Sequence, residues 1–334
     1  MKRIGQRTII FENKPTILSY GSVVGKKEHE GPLSNEFDSY TTDSFFGEKT
    51  FEKAESKLQR TAVQTALDKG GFKDSDIDNI FAGDLLNQCI GSSFGLREFG
   101  IPFIGLYGAC STMALSTGLA SIFVDSGAAK KAVAVTSSHF CSAERQYRFP
   151  LNYGSQRTPT AQWTVTGSGA LVLGQGDGKP YINSVTFGEI EDYGIKDINN
   201  MGAAMAPAAA STIKKFFGDT GTKPEDYDVI YTGDLGYVGT NLLYELLERE
   251  GVDIRCRHSD CGLIIFDREK QDVHAGGSGC GCSASVLCSF IMHRFEEGQF
   301  KNILFMSRGA LMSPTSSFQG ESIPGIAHLL NIKI

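Results

Sequence analysis

Residues 72–85 read FKDSDIDNIFAGDL and residues 222–235 read TKPEDYDVIYTGDL, the same pattern at an offset of 150 residues. Each stretch has a charged cluster, then a short apolar run, then Gly-Asp-Leu, which predicts a turn feeding a buried strand. The segments upstream correspond as well: 58–71 and 208–221 read as helices that stop at Gly71 and Gly221. Downstream, GAAKKAVAVTS from Gly127 matches GQFKNILFMSR from Gly298, a glycine helix stop that passes through lysine into a buried strand. The offset is now 171 residues, so the second half holds extra sequence within 235–278.

Each half thus reads helix, strand, glycine-rich turn, helix, strand. That alternation predicts an α/β fold with a largely parallel sheet covered by helices, built as two pseudo-repeated halves over 1–175 and 176–334. Residues 140–159 are the least regular stretch of the first half and are expected to loop over the surface or a cleft. TVTGSGALVL, residues 164–173, reads as the strand that closes that half.

Composition narrows the function. The chain has 334 residues, 41% hydrophobic and 21% charged, with 39 glycines, which places it in the globular class with many tight turns. A net charge of −6, with no basic cluster, argues against nucleic acid as a partner. The N-terminal sequence lacks a signal-peptide pattern, and no apolar run is long enough to span a bilayer, so membrane association is expected to be peripheral. The eight cysteines are read as reduced thiols.

One of them stands out. In YGACSTMALSTGLASIFVDSG, residues 107–127, a turn of small residues leads into an apolar helix, and Cys110 falls at its start. Helix N-termini expose unpaired amides and partial positive charge, so a thiol there ionises more readily and an anion is accommodated. The matching turn in the second half, HAGGSGCGCSAS from His274, offers backbone amides of the kind an oxyanion hole needs. A buried cysteine without chemistry remains the alternative. Cys256, His258, Cys261, Cys280 and Cys282 raise the idea of zinc, but no paired C-x2-C knuckle is present, and the expectation is no metal.

GACST at Gly108, VTGSGA at Val165 and the paired turns together resemble the thiolase and ketoacyl-synthase superfamily over nearly the whole chain. AGDLLNQ at Ala82, TSSH at Thr136, AERQ at Ala143, MAPAAA at Met205, AGGSGC at Ala275 and ESIPGIAH at Glu321 are more specifically similar to the stage V sporulation protein AD family. The resemblance implies a thiolase-like five-layered αβαβα fold with a cleft between the halves at Cys110, and no cofactor. It implies dipicolinic acid (pyridine-2,6-dicarboxylate) as ligand, free or as its calcium chelate, and a role in its uptake into the developing spore. It also implies a homodimer, other stage V sporulation membrane proteins as partners, and a peripheral place on the spore or forespore inner membrane.

The superfamily enzymes bring two further groups to the cysteine, histidines or a histidine and an asparagine. Here Asp234 stands where an imidazole is expected, and Gly276 and Gly277 stand at the second position. A carboxylate is a poor donor to an oxyanion, so acyl transfer is expected to be lost and Cys110 to be a vestigial nucleophile. An active acyl-transferase with Cys110 as thioester nucleophile, with His274 standing in as base, is the rival reading, and a purely structural subunit is another. For the ligand, the expected contacts are Cys110 and Ser111 at the helix start, Asp234, the turn amides near Gly277 and Ser278, and His139 as side-chain donor. Arg145, Arg148 and Arg157 are expected to steer an anion toward the cleft.

Overall fold

The computed structural model describes residues 1–147 and 157–334. The first half contributes strands β1 (Thr16–Val24), β2 (Asn79–Gly83), β3 (Phe103–Gly105), β4 (Lys131–Ser138) and β5 (Gly167–Gly174). The second contributes β6 (Tyr181–Phe187), β7 (Val229–Thr232), β8 (His258–Asp260), β9 (Asn302–Ala310) and β10 (Gly325–Lys333). Their order is β8-β7-β9-β10-β6-β1-β5-β4-β2-β3, so each half repeats one topology outward from the β1/β6 seam.

The duplication extends to individual hydrogen bonds. Before β2, the Lys73 amide donates to Asp76 at 2.8 Å; before β7, the Lys223 amide donates to Asp226 at 2.9 Å. Asp78 accepts the Lys130 and Lys131 amides at the start of β4, and Asp228 accepts the Lys301 and Asn302 amides at the start of β9. The preceding helices, α1 (Phe51–Gly70) and, in the second half, Met201–Thr220, end on Gly71 and Gly221 with φ of 68° and 67°, the left-handed conformation that favours glycine.

The sheets are mixed rather than largely parallel. β3, β2 and β4 run parallel, as do β8, β7 and β9, but β5 and β10 pair antiparallel with their neighbours on both sides. An antiparallel partner needs no crossover, so β4 ends and β5 begins at the same end of the sheet. Phe140–Tyr147 forms a helix where a loop was expected, residues 157–159 are irregular as expected, and residues 148–156, with Arg148, lie outside the described residues.

Numbered along the chain, the helices used below are α1, α2 (Ile90–Leu96), α3 (Thr112–Asp125), α4 (Phe140–Tyr147), α5 (Met201–Thr220), α6 (Gly236–Arg249) and α7 (Cys280–Val286). α1 covers the outer face of the first sheet, and α5, packed on α6, covers that of the second. α3 and α7 each touch strands of both sheets and lie between them, which makes five layers. The middle layer is a shared core in which Met113 and Ala120 meet Val286, Ile291, Phe305 and Leu330.

Close approach in that layer needs glycine at specific points. A Cβ on Gly169 of β5 would overlap the Ala284 carbonyl of α7, and one on Gly309 of β9 would overlap the Gly108 carbonyl in the turn before α3. Gly309→Ala is therefore expected to lower unfolding free energy by about 1–3 kcal/mol, as overpacked cores do, measured by urea denaturation. No change in the urea midpoint would show that the turn yields freely.

Candidate functional site

β9, the β7–α6 loop and the turns that open α3 and α7 converge on a cavity of about 50 Å³ whose wall includes Cys110, Asp234, Ser278, Gly279, Tyr147 and Met205. Cys110 sits in a single 3-10 turn, Ala109–Ser111, ahead of α3. Ala109 has φ of 49°, a strained value for a residue with a Cβ, and it turns the cysteine toward the cleft.

Asp234 is fully buried. Its Oδ2 accepts the Gly279 amide at 2.9 Å, and its Oδ1 finds no hydrogen-bond donor among the described residues. Burial pushes its carboxyl up to about 6, against the downward pull of the Arg308 guanidinium and of Cys110. The thiol responds in the opposite sense. Removal from water, the facing Asp234 charge and neighbouring Cys280 hold Cys110 well above the ordinary thiol value, although the Gly279 amide pulls it down. A neutral thiol beside a carboxylate is a poor nucleophile at neutral pH.

A buried charge network holds this arrangement. Arg308 has no solvent exposure; its Nη2 lies 3.1 Å from Asp260 and 3.7 Å from Asp234. Asp260 in turn accepts the Leu235 amide at 2.9 Å, the Gly236 amide at 3.0 Å and the Thr232 hydroxyl at 2.7 Å, which fixes the loop that carries Asp234. Gln162 donates to the carbonyls of Asp234 and Gly277, both at 2.7 Å, and ties that loop to the glycine turn. Asp260, Arg308 and Gln162 escaped the sequence reading. Arg308 was visible only as the end of the repeated strand, where the first half has Ser137.

The Gly-Asp-Leu pair has diverged. Asp84 turns inward, where its carboxylate accepts the Leu86 amide at 2.9 Å and the Ser92 amide and hydroxyl at 2.7 and 2.6 Å at the start of α2. Asp234 leaves the corresponding duty to Asp260 and faces Cys110 instead.

Several expected ligand contacts are elsewhere. His139 donates from Nε2 to the Ser44 carbonyl at 2.7 Å and accepts the Cys141 amide on Nδ1 at 3.1 Å, so both nitrogens are committed. It lines a different cavity, because the chain leaving β4 turns its ring toward residues 41–44. The Ser111 hydroxyl folds back onto the Gly108 carbonyl at 2.6 Å. Gly277 and Ser278 pair as a short strand with Trp163 and Thr164; of this turn only Ser278 and Gly279 reach the cavity, and the Gly279 amide is taken by Asp234.

The remaining candidates are also placed. His274 bonds the Thr158 carbonyl at 2.6 Å and Asp272 at 2.9 Å. None of the six histidines is hydrogen-bonded to Cys110. Arg145 is paired with Glu52 and Arg157 with Asp272, and neither lines the Cys110 cavity. Cys256 is exposed while Cys261, Cys280 and Cys282 are buried, and His258 is held between the Thr232 and Tyr244 hydroxyls, each at 2.8 Å. No cluster of three or more metal-ligating side chains occurs among the described residues.

The same fold occurs in OleA and in a 3-oxoacyl-(acyl-carrier-protein) synthase. Cerulenin-bound OleA from Xanthomonas campestris superposes with a TM-score of 0.61 at 13% identity, over 96% of this chain and 98% of that one. The 3-oxoacyl-(acyl-carrier-protein) synthase III of Aquifex aeolicus VF5 gives 0.55 at 14% identity, over 95% and 99%. At such identities the likeness concerns fold alone. The stage V sporulation protein AD of Bacillus subtilis (strain 168) is 45% identical over 328 residues, 98% of this chain and 97% of that relative. The family profile described as stage V sporulation protein AD matches residues 5–333. With that extent of agreement in sequence, the chain belongs to the stage V sporulation protein AD family.

Proposed function

We propose that this protein binds dipicolinate in the Cys110 cleft and serves its uptake into the developing spore, without acyl transfer. The observation that carries the reading is Asp234: a buried carboxylate occupies the Gly279 amide and faces the Cys110 thiol where a condensing enzyme needs an imidazole and a free oxyanion donor. Cys110 is left protonated, without a base, and the cleft is left as a binding slot.

The chemistry of the slot selects how the ligand enters. Apolar walls from Met201, Met205 and Met312 suit a flat ring. The Asp234 Oδ1, which has no hydrogen-bond donor and only the Arg308 guanidinium 3.7 Å away, disfavours a bare carboxylate but accepts one through a shared proton, and it equally suits the calcium of a chelate, an ion that prefers oxygen ligands. Dipicolinate therefore binds either with a proton held on Asp234 or together with calcium. The reading includes a homodimer that docks on other stage V sporulation membrane proteins at the forespore inner membrane. Among the described residues no helix is long and apolar enough to cross a membrane.

Calorimetric titration with dipicolinate tests the reading. Saturable heat with an upward melting shift is expected, and both should weaken in Cys110→Phe, which fills the slot. Absence of heat and of any shift at millimolar ligand would leave a scaffold protein with no ligand role.

A further inference from the structure

α4 and the short strand Trp163–Thr164 form a partition. Ala143, Tyr147 and Thr164 face the Cys110 cleft, whereas His139, Phe140, Cys141 and Trp163 face a second cavity of about 300 Å³ on the other side, against about 50 Å³ for the cleft. Neighbouring strand residues point to opposite sides, which is why Trp163 and Thr164 serve different cavities.

The second cavity has an aromatic wall and a cation at its edge. Phe140 stacks on Trp163 with ring centres 3.7 Å apart and planes 8° from parallel. The Lys27 ammonium lies 3.9 Å from the centre of the Trp163 ring. Among the described residues no carboxylate comes within 4.0 Å of that ammonium. Arg157, whose guanidinium is 4.8 Å from the same ring, is already paired with Asp272 at 2.8 Å. Burial lowers the Lys27 pKa against the upward pull of Asp272, Glu28 and Glu30, so the cation is partly withdrawn from water with no carboxylate in direct contact.

Two acids complete the surroundings. Glu28 is buried in the wall, where it accepts the Thr166 amide at 2.9 Å and is pushed up to about 7. Asp43 is turned onto the Phe45 and Gly47 amides at 3.0 and 2.8 Å. Neither makes a direct ion pair with Lys27. A half-buried cation beside a stacked aromatic pair, in a cavity wide enough for a ring, matches an anion that carries a flat face.

We propose that this cavity is a second ligand site for a small planar aromatic carboxylate, its acid group on Lys27 and its ring against the Phe140–Trp163 pair. The choice of dipicolinate as probe rests on the function proposed above. A ligand held there is one wall away from the Cys110 cleft, and the two sites share α4.

Trp163 is the single tryptophan in the chain and reports on this cavity directly. Dipicolinate titration of the full chain is expected to give two binding events by calorimetry and a change in Trp163 emission. Lys27→Gln should weaken the emission response by about tenfold, the worth of one charge-assisted contact, while keeping the cleft event. Cys110→Phe should remove the cleft event and keep the emission response, and Lys27→Arg should restore most of what Lys27→Gln loses. An emission response unaltered by Lys27→Gln, or abolished by Cys110→Phe, overturns the second site. Heat without any Trp163 response overturns it too and leaves the cleft reading standing, whereas neither heat nor response overturns both.

Discussion

Arg308→Met is expected to destabilise the fold by about 3–5 kcal/mol in chemical denaturation, because it removes the one cation that faces two buried carboxylates. Asp260 and Asp234 lie 3.1 and 3.7 Å from the Arg308 guanidinium. Burial pushes both carboxyls up, and the guanidinium alone is the charge that pulls them back. Without it the folded chain must hold two charges unpaired or protonate them. A second substitution, Asp234→Asn, should recover part of the loss, about 1–3 kcal/mol of coupling between contacting groups. The linkage has a definite sign. Folding raises Asp234 from 3.8 to about 6, so the native state binds this proton more tightly, and the group subtracts stability as pH rises from 3.8 past 6. The Arg308→Met deficit should accordingly be larger at pH 8 than at pH 5, and a loss below about 1 kcal/mol at both would show that the network carries little.

Asp234→Asn has the largest expected effect on binding. With the carboxyl near 6, only a few per cent of the wild-type protein carries the Asp234 proton at pH 7.5. If calcium-free dipicolinate enters only that form, the apparent affinity is reduced by the same fraction. The amide of asparagine keeps the acceptor for Gly279 and presents a permanent donor at the Oδ1 position. Dipicolinate should then bind about thirtyfold more tightly at pH 7.5 than to wild type, with the pH dependence between 5.5 and 8 flattened. Calcium should tighten wild type and lose that effect in Asp234→Asn. Calorimetry at several pH values reads all three; a wild-type affinity independent of pH and calcium would remove Asp234 from the site.

The architecture was legible because the duplication is written in short-range chemistry. Asp76 and Asp226, and Gly71 and Gly221, each act within their own turn, so their spacing in sequence is their structure, whereas Asp78 and Asp228 repeat one another through bonds to a strand far along the chain. Asp234 beside Cys110 was expected from the superfamily resemblance, which places a second-half group there, and not from the internal repeat, which pairs Asp234 with Asp84. What stayed hidden depends on long-range partners. Asp260 reads locally as the end of a short polar strand, and Arg308 as a strand residue that would ordinarily face solvent; only the fold brings them together beneath the cleft. His139 follows the same strand end that the sequence points toward the cleft, yet the chain leaving β4 turns it to the opposite face before α4 begins. The mixed sheet was missed because strand direction depends on where a connection returns, and residues 139–166 carry no periodicity that shows it.

The protonation state of the Cys110 sulfur is the most direct measure of whether this cleft has given up nucleophilic chemistry. Alkylation of Cys110 by iodoacetamide, followed residue by residue in peptide masses across pH, reads it. With the thiol held above its ordinary value of 9 by burial and Asp234, the rate is expected to be slow at pH 7.5 and still rising beyond pH 9. A fast rate that levels off by pH 7 would mean an activated thiolate, and the cleft would be that of a working acyl-transferase.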